Sequence, residues 1–305
     1  MLKKLKSLWS LLKMAIGGFF SDDGLKLSAS LSYYTVFSIA PLIIVVISLA
    51  GIFFGVEAVQ GRIYGQINGL VGNAAAAQIQ EIIKNIQKTH NTHAGAIIGF
   101  IVLMIGASGV FTEIQDSINY IWSVKAKPKK GWLKLIKNRL LSFSLIATFG
   151  FLLLVSLVLN AVMDLLSDHL IARFPNATVY LFYVLNMILI FAIISCLFAI
   201  IFKVLPDAKI KWKDAFIGSF FTAFLFVLGK YLIGLYLGQS SISETYGAAA
   251  SIVLVLLWVY YSSIILFFGA EFTKMYALHH GGKIIPNDTA VFIVKQEVKE
   301  IDYSK

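Results

Sequence analysis

Lys230 is a single cation inside the apolar run 215–238, fifteen residues from one end and eight from the other. An ionisable group in such a run is costly unless paired, wetted or reaching the headgroup layer, so it marks a candidate site. At about 1.5 Å per residue, Lys230 lies roughly 12 Å below the nearer end of the run. Its stem could snorkel part of that distance. The alternative is a wet cavity in which the ammonium meets an anionic headgroup. Asn186, in the apolar run 177–202, falls at nearly the same depth. Glu244 is nearer the outer surface, and Tyr261 belongs to the last apolar run. Glu113, Asp116 and Glu271 fall at the inner ends of their runs, where they are expected either to cluster with loop cations or to anchor the helix ends. Depth disfavours a Lys230–Glu271 pair. Pro41 interrupts the first run, where its missing N–H predicts a kink.

Other chemistry has little material. No G-x-x-x-x-G-K-[ST] phosphate loop occurs, so the chain is expected to hydrolyse no ATP itself. The five histidines form no H-E-x-x-H cluster, and Cys196 is the one cysteine, so neither a metal site nor an intrachain disulfide is expected. No G-x-S-x-G elbow is present. The expectation is a protein without catalytic residues, metal or cofactor.

The elements that position these residues follow from composition. The 305 residues are 58% hydrophobic and only 14% charged, against about 25% charged in soluble domains. Such a chain cannot cover a soluble surface, and disorder is excluded by the same figures. A spanning helix takes roughly 20 apolar residues. Six stretches qualify: 31–55, 94–122, 140–163, 177–202, 215–238 and 248–272. Their continuity argues against a barrel, whose strands alternate. The fold class is therefore an all-α polytopic membrane protein. Residues 1–30 precede the spans and 273–305 follow them.

The net charge of +10 is sorted by side. Segments 1–30, 123–139, 203–214 and 273–305 hold 21 of the 26 Lys and Arg, and the alternate loops hold only four. The positive-inside rule then puts both termini in the cytoplasm of a bacterial plasma (inner) membrane. The basic run from Lys125 to Arg139 around Trp132 is accounted for by topology and anionic lipid, without nucleic acid. Residues 2–20 interleave Leu, Trp, Ile and Phe with Lys, which predicts an amphipathic helix on the inner leaflet. Asp22-Asp23-Gly24 breaks the chain after it. Loop 56–93, with Ile79, Ile82, Ile83 and Ile86 at helical spacing, predicts a helical extracytoplasmic cap. Gly281-Gly282 and Pro286 end the last helix, and 281–305 is expected to be a mobile tail. Small residues four apart (Gly51/Gly55, Gly95/Gly99, Gly234/Gly238, Gly247/Ser251) predict close helix packing.

Two stretches carry a resemblance. One is Leu31-Ser32-Tyr33-Tyr34-Thr35-Val36-Phe37-Ser38-Ile39-Ala40-Pro41; the other runs from Tyr246-Gly247 through Trp258, Tyr260-Tyr261 and Phe268-Gly269-Ala270-Glu271. With Leu205-Pro206-Asp207 and Trp212, they resemble the YihY/BrkB family of bacterial inner-membrane proteins over roughly residues 10–280. The resemblance implies six spans, and it brings no agreed catalytic residues. An old ribonuclease BN label attached to that family is regarded as a misassignment, and links of some relatives to lipid export suggest amphiphile handling. The expected function is a transporter or flippase-like facilitator of lipid or another amphiphile, with anionic headgroups as partners. The alternative is a non-transporting scaffold that engages envelope proteins or a second copy.

Overall fold

In a computed structural model, the structure describes residues 2–38, 109–127, 175–239 and 250–295. Helix α1 (Leu2–Ser21) is followed by a turn at Asp22-Asp23 and by helical residues 24–38. Residues 109–121 are helical and lead into β1 (Val124–Ala126). Then come α2 (Pro175–Val204), β2 (Ala208–Lys209), α3 (Trp212–Gln239), α4 (Ala250–His279), β3 (Ile285–Pro286) and β4 (Ala290–Phe292). The described chain is thus mostly helical. The expected break at Asp22-Asp23 is present, and α2 ends at Val204, inside the expected loop 203–214. Asp23 takes φ 54°, a left-handed conformation that Asp tolerates better than most residues.

Three of these helices contain stretches long and apolar enough to cross a membrane: Val184–Val204, Trp212–Tyr236 and Ile252–His279. They coincide with the expected fourth, fifth and sixth spans. Their outer faces carry large apolar side chains such as Ile188, Phe220 and Leu235, all more than half exposed. A helix apolar on both its packed and its open faces is matched to lipid rather than water. The span 140–163, the cap 56–93 and Pro41 lie outside the described residues.

Helices α2, α3 and α4 pack in sequence order as an antiparallel set, with α1 laid along the end of α4. Aromatic contacts fix the α2–α3 hairpin: Phe191 meets Phe220 at 4.8 Å and Phe198 meets Phe226 at 5.9 Å, both edge-on. Between α3 and α4 the register rests on two matched Gly-x-x-x-Thr steps. Gly218 receives Thr273, and Gly269 receives Thr222. Each threonine hydroxyl donates at 2.7 Å to the carbonyl four residues back, Gly218 or Gly269, which is the glycine on its own helix. Polar groups are therefore satisfied within each helix while the glycines let the backbones approach. Among the described residues, a Cβ on Gly234 meets nothing within 4 Å, and Gly51, Gly55, Gly95, Gly99 and Gly247 lie outside them. A helix-by-helix search for small residues misses a threonine paired with a glycine on another helix.

Helix α1 turns its Leu11, Ala15 and Phe19 stripe onto the last turns of α4 around Phe268 and Phe272. Leu8, Trp9, Ile16 and Phe20 remain open. Of the residues interleaved with lysine, Phe19 is taken up by protein, while Leu8, Trp9 and Ile16 face outward.

The expectation of a mobile tail from residue 281 is overturned for residues up to 295. Gly281, at φ 70°, closes α4, with Gly282 N–H donating to Ala277 O at 2.7 Å and Gly281 N–H to Leu278 O at 3.3 Å. Strand β3 then pairs antiparallel with β2, and β4 with β1. These strands are two or three residues long, and their partners lie far away in sequence. No local pattern could announce them.

Candidate functional site

Two polar centres occupy the end of the bundle where the expected cytoplasmic segments meet. The first is built on α4. Glu271 is fully buried, with Lys274 one turn on donating to its two carboxylate oxygens at 3.1 and 3.3 Å. Lys274 also reaches Asp22 at 3.3 Å and the Ile121 carbonyl at 2.7 Å. Asp22 in turn accepts from Lys295 at 2.7 Å. Two carboxylates and two ammoniums alternate, so each buried charge meets an opposite one, as burial requires. The Glu271 carboxyl occupies the space left by the missing side chain of Gly18. Trp122 closes the centre by donating its indole N–H to Ala270 O at 3.0 Å.

The second centre lies on the loop between α2 and α3. Asp207, 6% exposed, accepts from Gln115 and Asn119 amides, each at 3.1 Å. Its backbone N–H donates to Asn119 Oδ1 at 2.8 Å, and its carbonyl accepts from Asn287 N–H at 2.8 Å. All three partners of this one residue, Gln115, Asn119 and Asn287, lie on other segments, so it fixes the loop against both the 109–121 helix and the chain after α4. Among the described residues, no group of three His, Cys, Asp or Glu is placed to hold a metal ion.

Away from this end, a cavity of about 350 Å³ opens between α2 and α3. Its walls are apolar (Ile190, Phe191, Ile194 and Val227), and its polar lining comes from Asn186, Lys230 and Tyr231. The Lys230 ammonium sits 5.9 Å from the Tyr231 ring centroid, within cation–π range. The structure thus brings together Lys230 and Asn186, which the depth argument had paired. Tyr261 lies across the α3–α4 seam, its ring and hydroxyl 2.7 Å from where a Cβ on Gly229 would stand. On the same face of α4, the Trp258 indole N–H is buried with no hydrogen-bond partner, and its ring meets Phe226 edge-on at 6.0 Å.

The remaining candidates separate. Glu271 joins a cluster, but its acidic neighbour there is Asp22. Glu113 is half-buried and Asp116 exposed on the 109–121 helix. Glu244 lies outside the described residues. Sequence reasoning missed Asp22, Lys274 and Lys295 because each reads as a turn or loop charge. The buried Gln115, Asn119 and Asp207 carried one signal: Gln115 and Asn119 share a helix face, four residues apart, within an apolar stretch.

A sequence model of the family described as virulence factor BrkB matches residues 15–290. A "UPF0761 membrane protein" of Verminephrobacter eiseniae is 29% identical over 261 residues, covering 83% of this chain and 59% of the relative. A protein of the same name from Psychrobacter sp. is 29% identical over 288 residues, covering 91% of this chain and 50% of the relative. One from Vibrio vulnificus is 27% identical over 254 residues, covering 80% and 74%. The chain therefore spans little more than half the length of the first two. No solved structure matches.

Proposed function

The chain belongs to the virulence factor BrkB family, and we propose that it is a plasma-membrane protein that moves a lipid or another amphiphile across the bilayer. The observation that carries this reading is the α2–α3 cavity. Its apolar walls suit acyl chains, and Lys230 with Asn186 offers one cation and one amide to an anionic headgroup. Met187, Ile188 and Tyr231, also lining it, are at least half exposed, so a lipid would enter sideways from the bilayer. A charged group kept at this depth against its desolvation cost is the usual mark of a substrate path. Without a phosphate loop, movement would run down a gradient or couple to another source. The end bearing Glu271 and Asp207 faces the cytoplasm in this reading, as the cation count implies.

A reconstitution assay tests the proposal. Purified protein in phosphatidylcholine vesicles carrying a fluorescent phosphatidylglycerol should expose inner-leaflet probe to an external quencher faster than empty vesicles. Lys230→Ala should return the rate close to the protein-free value. A wild-type rate equal to that of empty vesicles would sink the reading. The competing scaffold reading is favoured by the open apolar side chains Phe292 and Val294 beside the basic end, and it predicts that empty-vesicle result.

A further inference from the structure

We propose that residues 283–295 form a strap that locks the charged end of the helix bundle shut and has to come away before that end can open. The strap touches every described segment that meets there. Ile284 is buried in the main core, and β3 is hydrogen-bonded to β2 in the α2–α3 loop. Asn287 N–H is bonded to the Asp207 carbonyl. Strand β4 lies on β1, extended by Lys127 N–H to Thr289 O at 2.7 Å and Ile293 N–H to Ser123 O at 2.9 Å. Lys295 ends the strap, clamped between the Asp22 carboxylate at 2.7 Å and the Tyr120 ring at 3.8 Å. Because the strap continues α4 covalently, it ties α4 to the 109–121 helix, to the α2–α3 loop and to the turn after α1. None of these can separate while it is seated.

The same contacts make the strap releasable. Two-stranded ribbons are marginal on their own, and these two are at most three residues long. Beyond Ile284 it buries little apolar area: Val291, Phe292 and Val294 are 41%, 60% and 79% exposed. Its grip is backbone hydrogen bonds, the ion pairs Lys295–Asp22 and Lys209–Asp288, and the Lys295–Tyr120 contact, all of which water can replace. A segment with so little apolar burial is drawn from the low-stability end of a fold. Lys295 is the clasp, since among the described residues it alone joins the strap to the turn at Asp22.

The proposal rests on the transport reading only for what the opening serves, and two measurements keep them apart. In a Cys196→Ser background, Ala126→Cys and Ala290→Cys face each other as a β1–β4 pair. The flanking bonds make this a non-hydrogen-bonded pair, with Cα atoms about 4.5 Å apart, within disulfide reach. Oxidation should stop movement of fluorescent phosphatidylglycerol, and reduction should restore it. Separately, Ala215→Cys, at a fully buried position in the first turn of α3, reports the opening through a membrane-impermeant maleimide. Its labelling rate should rise several-fold when Lys295→Ala is added. Oxidised protein that moves lipid at the reduced rate, or Ala215→Cys labelling unaffected by Lys295→Ala, would overturn the strap. Faster labelling with no lipid movement in any variant would keep the strap and remove the transport reading.

Discussion

Asn119 and Asp207 close on each other through two hydrogen bonds, one from the Asn119 amide to the Asp207 carboxylate and one from the Asp207 backbone N–H to Asn119 Oδ1. The side chain of one residue thus satisfies both the side chain and the backbone of the other, across 88 residues of chain. Asn119→Ala leaves a buried N–H and part of a buried carboxylate without partners, which costs about 1–3 kcal/mol each. Thermal unfolding of the detergent-solubilised variant should fall by several degrees. An unchanged midpoint would show that water replaces the amide.

Gly17 and Gly18 are neighbours with opposite expectations. A Cβ on Gly18 meets the Glu271 carboxyl, whereas one on Gly17 meets nothing within 4 Å. Gly18→Ala should push Glu271 off Lys274 and destabilise the protein. Gly17→Ala should stabilise it by about 0.5–1 kcal/mol, the helix-interior cost of glycine relative to alanine. Paired melting curves check both signs.

The α3–α4 seam gives a similar contrast. Gly218→Ala or Gly269→Ala drives a methyl into Thr273 or Thr222, both fully buried, and the helices must part. Each should cost about 1–3 kcal/mol by overpacking. Gly234→Ala, with open space at its Cβ, should be neutral or mildly stabilising in the same chemical-denaturation assay.

Within the ion cluster, removing one partner is expected to hurt more than removing both. Lys274→Met strands Glu271, while Asp22 keeps Lys295, and breaking such a buried pair costs about 3–5 kcal/mol. Adding Glu271→Gln should recover part of that loss, which a double-mutant cycle measures. Additive losses would mean that the two side chains are independent.

The membrane-spanning parts of the fold were legible because lipid imposes one long-wavelength rule, about 20 apolar residues per crossing. The matched spans on α2, α3 and α4 follow from it. Lys230 and Asn186 were also readable as neighbours in depth, since helical rise converts sequence position into depth, and both line one cavity. For Glu113, Asp116 and Glu271 the sequence leaves two readings open, a cluster with loop cations or anchoring of the helix ends, and Glu271 meets a cation, Lys274. Depth put all three at one end, but it says nothing about azimuth, and the carboxylate that joins Glu271 is Asp22. The tail failed for a different reason. Ile285–Pro286 and Ala290–Phe292 are too short to show a period, and their partners lie at 208–209 and 124–126.

The sequence by itself determined that the chain is a largely helical membrane protein, which segments are apolar enough to cross, and which loops carry the cations. Each of those is a sum over local composition, and the bilayer reads composition directly. Only the tertiary structure decided that Gly18 makes room for Glu271, that Gly218 and Gly269 exchange threonines across a seam, and that Lys295 clasps Asp22. Those contacts depend on the rotation of each helix about its axis and on where a loop returns. Both are set by the close packing of all the neighbours together.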